Sequence, residues 1–349
     1  MVDHETRIAL LRKEMGVRGL DSFLVTNETN VSYLSGFEGR DSSILITQAK
    51  KIFLTDSRYI EEAKSNLRAF DIELIALSNY ETIRELIQKN NLKKIGFESM
   101  DLPYEVAKRL KGMIGRSKLA AVKGLVEAFR AIKDAKEIGL IKDSIRLTQR
   151  VLKKVSNEIR PGVSEKSLSA KAEVEFINAG GHPGFPPIVA CGANSSKPHA
   201  HAGDTQIKKD RFVMVDIARC LNRYNSDCTR MVLLGKVKEK FKKIYNIVYE
   251  AGKIALDMIR PGIRISEVDL AARRHIENNG FGRFFGHSLG HGIGLEVHEE
   301  PAISRLNQDA LKPGMVFTVE PAIYIPGFGG ARIEDMVLVA EDGYEVLTR

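Results

Sequence analysis

Apolar residues recur along this chain at two different periods, and the order of the periods divides it. Ile8, Leu11 and Met15 fall at helical spacing, and Gly16 can end the helix they predict over residues 5–16. Residues 21–26 then read as a short strand. Residues 30–37 lead into a turn at 38–41, and strands follow at 43–47 and 51–55. A helix around 59–67, a strand at 72–76, a helix at 80–89, a strand at 94–97 and a helix at 103–113 complete the series. A basic, glycine-containing stretch at 111–118 closes it. Short strands alternating with helices indicate an α/β layer domain. From 125 to 157 the pattern turns long and helical, with Ile138, Ile141, Ile145, Thr148 and Leu152 along one face. The entry to that stretch, within 122–132, is the expected boundary. It separates an N-terminal recognition or dimerisation domain, 1–124, from a C-terminal domain, 125–349.

The second domain repeats itself. Ile159-Arg160-Pro161-Gly162-Val163-Ser164-Glu165 returns as Ile259-Arg260-Pro261-Gly262-Ile263-Arg264-Ile265-Ser266-Glu267. A helical stretch after each copy ends at Asn178-Ala179-Gly180 and at Asn278-Asn279-Gly280. The apolar strand at 211–216 is answered by 315–320, and Met231-Val232-Leu233 by Met336-Val337-Leu338. Two copies are too few for a solenoid, so the pattern is a pseudo-twofold. Two such halves can join their sheets into one curved sheet, with the helices outside and a concave inner face.

Composition narrows the classes. The chain has 349 residues, enough for two domains and a sizeable core. Its net charge of +8 comes from Lys and Arg spread along the chain rather than from a block. With no Trp and few other aromatics, neither a nucleic-acid partner nor a base-stacking platform is expected. Cys191, Cys220 and Cys228 form no CxxC pair, and the polar start has no apolar leader. Reduced thiols and a cytoplasmic location are therefore expected, with no membrane partner, since no apolar run is long enough for a span.

Charged residues stand where such a sheet would bury them. Asp216 ends an apolar strand, and Asp227 lies eleven residues on, leading into the next. Glu320 holds the place of Asp216 in the second half, and Glu334 follows fourteen residues later. A buried unpaired carboxylate costs several kcal/mol, so each needs a cation. Arg230 and Arg332 are close enough in sequence to supply one. Four carboxylates at mirrored places would equally balance two divalent ions. Three of the eight histidines, His287, His291 and His298, fall within twelve residues of a glycine-rich run that is a poor helix. Extended alternation would put His291 and His298 on opposite faces, so the run must bend if both face one site. One imidazole with four carboxylates is an oxygen-rich donor set, suited to Mn, Co, Fe or Zn in a two-metal site.

These residues resemble those of the proline-specific metallopeptidases of the pita-bread fold, Xaa-Pro aminopeptidase and Xaa-Pro dipeptidase. Asp216, Asp227, His291, Glu320 and Glu334 match that family's five dinuclear metal ligands in order and spacing. His199 resembles the histidine on a loop over the active site, and His298 the donor to the substrate carbonyl. His287 resembles a third pocket histidine, and Arg332 the arginine packed near substrate behind the metals. Glu320 resembles the ligand that also shuttles the proton to the leaving imino nitrogen. Neighbouring His201 is expected to be a surface residue, and His4, His182 and His275 structural or exposed.

The run 30–37 is similar to the family's N-V-x-Y-L-(S/T)-G-F signature and 55–59 to its T-D-x-R-Y, both more typical of the aminopeptidase branch. Ala218 and Arg223 depart from glycines common in the family, and Cys191 from a serine. The resemblance implies a homodimer in which 38–41 contacts the neighbouring subunit's substrate. It implies an exopeptidase that uses a metal-bridging hydroxide to cleave the bond before proline at peptide N-termini. Xaa-Pro dipeptidase is the alternative. A related metallohydrolase on the same scaffold, methionine aminopeptidase, shares the ligand plan; from a different class, a catalytically inactive binding module could keep the fold without the chemistry.

Overall fold

Short strands and helices alternate through the first part of the chain and build a single sheet. The computed structural model describes residues 4–76 and 78–349; residues 1–3, part of the polar start on which the absence of a leader was expected, lie outside them. Two compact units form, Met1–Arg130 and Ala131–Arg349. In the first, the order is α1 (His4–Val17), β1 (Ser22–Val25), α2 (Glu28–Ser35), β2 (Ser43–Thr47), β3 (Lys51–Thr55) and α3 (Ile60–Asn66). It continues with β4 (Asp71–Leu74), α4 (Asn79–Lys89), β5 (Lys94–Glu98), α5 (Tyr104–Met113), β6 (Lys118–Val122) and α6 (Leu125–Arg130). The six strands lie in the order β4-β3-β2-β1-β5-β6. Strands β1, β2 and β3 pair antiparallel, and the remaining pairs are parallel. Leu24, Leu45, Leu54, Ile83 and Ile95 form the core under α4 and α5.

Residues 30–37, read only as leading into a turn, carry a helix. Asn27 caps α2 by accepting from Asn30 N, and the chain leaves it at Gly36 with φ 79°. Helix α6, expected to open the second domain, belongs to the first unit. Asn30 holds it there: its Nδ2 donates to Glu127 Oε1 at 2.8 Å, and its Oδ1 accepts from Arg130 Nη1 at 2.8 Å. The long helical stretch from 125 is thus two helices. The second, α7 (Ala135–Asn157), starts with a capping box in which Asp134 accepts from Glu137 N and Glu137 Oε2 accepts from Asp134 N.

The repeat is visible in the second unit. After α7 come α8 (Glu165–Asn178), β7 (His182–Pro183), β8 (Ile188–Cys191), β9 (Phe212–Leu221), β10 (Tyr224–Leu233), α9 (Glu239–Met258) and α10 (Ile265–Asn278). Then follow β11 (Gly290–Gly292), β12 (Glu299–Ile303), β13 (Val316–Val319), β14 (Ala322–Ile325), β15 (Gly329–Arg332), β16 (Asp335–Ala340) and β17 (Gly343–Val346). Helices α8 and α10 are each 14 residues long and start one hundred residues apart. Isolated bridges recur at matching places, Ser164 with Gln206 and Arg264 with Ala310. Gly162 N donates to Ile207 O and Gly262 N to Leu311 O, both at 2.9 Å.

Each half packs a helix pair on its own sheet. Val151, Leu168 and Phe176 meet Val215 and Ile217 in the first half. Phe241, Val248, Val268 and Ile276 meet Phe317 and Val337 in the second. Fully burying one such side chain stabilises by about 1.5–3 kcal/mol. The sheets, β10-β9-β7 with β8 on β9 and β12-β11-β13-β16-β17, meet where Glu334 N donates to Thr229 O at 3.2 Å. The carboxylates stand along that seam.

Candidate metal centre

Strands β9 and β10 form an antiparallel hairpin in which Thr229 faces Asp216 and Ala218 faces Asp227. Because side chains alternate, Asp216 and Asp227 share one face, two positions apart across the pair. In the second half Val319 faces Asp335. Continuing that register sets Glu320 opposite Glu334. Asp216, Asp227 and Glu334 are all buried.

The glycine-rich run bends as its chemistry requires. Gly290 and Gly292 lie in β11, between β12 and β13. A Cβ on Gly290 would stand 1.9 Å from Thr318 O, and one on Gly292 2.2 Å from Glu300 O, so neither position admits a side chain. The chain then turns into β12, and the His291 and His298 rings come within 4.2 Å of each other, edge to face. Thr318 Oγ1 accepts from His291 N at 3.1 Å and donates to Glu320 Oε1 at 3.3 Å. His291 Nε2 lies 3.4 Å from Glu320 Oε1 and 3.9 Å from Asp227 Oδ2.

Asp227, His291 and Glu334 offer donor atoms that all lie within 4.8 Å of one another. Glu320 adjoins them through His291. Asp216 stands apart: its Oδ2 pairs with Arg332 Nη2. Arg332 Nε also donates to Thr229 Oγ1 at 3.0 Å, and its Nη1 to Tyr324 Oη and to Pro198 O. Thr229 Oγ1 in turn donates to Glu334 Oε2 at 2.8 Å. Arg230, the other cation near in sequence, pairs with Asp335 at 2.7 Å.

The acids are crowded. Burial, then repulsion from Glu334, Asp216 and Glu320, drives the Asp227 carboxyl well above its usual range. Burial and repulsion from Glu320 and Asp216 do the same to Glu334. Glu320 is pushed up to about 7, chiefly by burial. Burial, with His298 nearby, lowers His291 to about 4, so at neutral pH it presents a lone pair rather than a charge. Buried Asp216 Oδ1 and Asp227 Oδ1 have no hydrogen-bond partner. Mutually repelling acids, two buried acceptors without donors and a neutral imidazole are what a cluster of divalent cations would satisfy, so the donor set fits them.

A cavity of about 750 Å³ opens over this cluster. His199, His287 and His298 line it with Arg332, as do Phe185 and Tyr324. His199 and His298 are exposed, whereas His287 is half-buried and its Nδ1 lies 2.7 Å from Ser288 O. Burial lowers the pKa of His287 to about 4 and, with His199 close by, lowers that of His298. His201, expected to be a bystander, is exposed but also lines the cavity. Thr229, Thr318 and Tyr324 were not anticipated. Hydroxyl residues inside apolar strands carry no spacing signal, and only the register of the hairpins exposes them.

The family model for metallopeptidase family M24 matches residues 139–341, and that for the creatinase/prolidase N-terminal domain matches 7–132. The chain is 35% identical over 339 residues to a Xaa-Pro dipeptidase of Pyrococcus horikoshii, covering 96% of this chain and 94% of that one. A solved Xaa-Pro dipeptidase from Bacillus anthracis superposes with a TM-score of 0.95 at 36% identity, covering 99% of this chain and 98% of that one. An X-Pro aminopeptidase structure from Thermotoga maritima superposes with a TM-score of 0.88 at 34% identity, covering 98% and 97%.

Proposed function

This chain belongs to metallopeptidase family M24, and on that footing we propose that it is a Xaa-Pro dipeptidase. The observation that carries the reading is the buried acid cluster around neutral His291, with two acceptors left for cations. The sequence alone favoured the aminopeptidase. Likeness over the whole chain to proteins named Xaa-Pro dipeptidase favours the dipeptidase instead.

Asp216, Asp227, His291, Glu320 and Glu334 would hold two divalent ions, with Mn, Co, Fe and Zn as candidates. Such ions acidify water and polarise a carbonyl. The chain's own groups do the rest. His298 and His199, both facing the cavity, donate N–H to the oxygen that gains charge as the amide is attacked. Glu320 takes the water's proton on a carboxylate oxygen and returns it to the leaving nitrogen. Proline has no amide hydrogen and a fixed ring, so a site shaped to a tertiary amide selects it. Free thiols at Cys191 and Cys228 support a cytoplasmic setting, and the homodimer implied by the resemblance goes with this reading.

One observation favours the aminopeptidase as a second reading. Arg332 is the one guanidinium or ammonium among the described residues that line the cavity, and Asp216 engages it. No further fixed cation there meets the carboxylate of a dipeptide. Comparing hydrolysis of Xaa-Pro with Xaa-Pro-Xaa, with each candidate metal, decides between the two. Dipeptides are expected to be cleaved faster, and His291→Ala is expected to abolish turnover while leaving the circular dichroism spectrum unchanged. Wild-type kcat in that variant overturns the proposal.

A further inference from the structure

Glu165 is buried, 1% exposed, at the first position of α8. Its carboxylate has no cationic partner among the described residues and accepts only N–H groups. Oε1 accepts from Cys191 N at 2.6 Å and Asn194 Nδ2 at 3.0 Å; Oε2 accepts from Asn194 Nδ2 at 3.0 Å and Gly203 N at 3.4 Å. Cys191 and Gly203 are the two feet of one loop, and that loop carries Pro198 and His199 over the cavity. The backbone of α8 joins in, since Glu165 N donates to Thr205 O at 3.0 Å and Lys166 N to Gly203 O at 2.9 Å. The crest of the loop is held separately. Ser195 Oγ donates to Gly330 O at 3.0 Å, and Pro198 O accepts from Arg332 Nη1 at 3.2 Å.

The second half holds its own histidine segment from the equivalent helix. Asp269 on α10 is fully buried and accepts from Leu289 N at 2.9 Å. Arg273 pairs with Asp269 and donates to Phe285 O at 3.0 Å and His287 O at 2.8 Å. A carboxylate outside the cavity thus holds a histidine-bearing segment in each half, on helices that start one hundred residues apart.

We propose that Glu165 is a positioning residue: it closes the base of the 191–203 loop and so sets where His199 meets substrate. This rests on reading His199 as a substrate-facing donor. A buried carboxylate taking several N–H bonds is costly to lose, because the buried Cys191 N and the half-buried Gly203 N then lose their carboxylate partner. Small misplacements of a donor cost up to about a hundredfold in rate.

The test is a double-mutant cycle with Glu165→Ala, His199→Ala and the pair, assayed on alanyl-proline with manganese. Glu165→Ala is expected to lower kcat about ten- to hundredfold with less change in KM. Once His199 is alanine, Glu165→Ala is expected to cost nothing further, because groups acting through one another are not additive. Losses that multiply overturn the proposal. Glu165→Gln retains a carbonyl acceptor for Cys191 N and is expected to recover most of kcat; should the alanine variant fail to fold, Glu165→Asp, whose shorter side chain withdraws the carboxylate from Cys191 N and Gly203 N, takes its place in the cycle. If wild type leaves alanyl-proline and longer Xaa-Pro peptides uncleaved, the functional reading fails, and hydrogen exchange alone decides the clamp. Faster exchange at Cys191 and Gly203, confined to that loop, supports it; unchanged exchange overturns it.

Discussion

Asp227 is one of the two acids that crowding disfavours most clearly, with Glu334. It is buried, one of its oxygens has no donor, and three other acids press its pKa upward. Asparagine has the same shape without the charge. In metal-free protein, Asp227→Asn is expected to raise the melting temperature by roughly 2–4 °C, the shift for about 1 kcal/mol in a unit of this size. It is also expected to abolish hydrolysis and to blunt the stabilisation by manganese. Calorimetry with and without manganese, beside an activity assay, checks this. The carboxylates and His291 were legible because charged residues between apolar strand positions are out of place without a purpose. Arg332 was legible as a neighbour in sequence and, through the resemblance, as an arginine behind the metals; that it takes Asp216 for itself required the hairpin register.

The β9–β10 hairpin places two of the candidate donors, and its connection is two residues long. Asn222 and Arg223 both have positive φ, 47° and 72°, the geometry that Asn-Gly adopts with least strain. Arginine there costs about 1–2 kcal/mol of left-handed backbone strain. Arg223→Gly is therefore expected to stabilise by about 1 kcal/mol and leave kcat unchanged, read from a denaturant midpoint and the peptide assay. A lower midpoint would mean that contacts of the Arg223 side chain outweigh the strain. Most helices and strands were legible from period alone. Helix α2 was not, because its eight residues are buried nearly all round and show no stripe. Nor was strand β6, a half-buried sheet edge that begins at the last residue of a basic stretch. The break between α6 and α7 hid inside one helical period and is marked only by the Asp134 capping box.

For the molecule as a whole, the acids all lie in the unit Ala131–Arg349. Removing divalent ions with a chelator is expected to lower the unfolding transition of that unit and leave that of Met1–Arg130 in place. Restoring manganese at about a hundred times its Kd should return about 2.7 kcal/mol. Scanning calorimetry that moves both transitions equally would count against a site confined to the second unit. The two-unit plan and the repeat were legible because similar segments return about one hundred residues apart. The seam between the sheets was not, since no local pattern encodes which edges meet.

That seam has a bearing on ancestry. The five candidate donors are shared unequally, two on the first hairpin and three in the second half. A primitive chain with one copy could have gathered such a set only by associating with a twin. Fusion of two copies would release them from being identical, so that one can keep two aspartates while the other carries imidazole and glutamates.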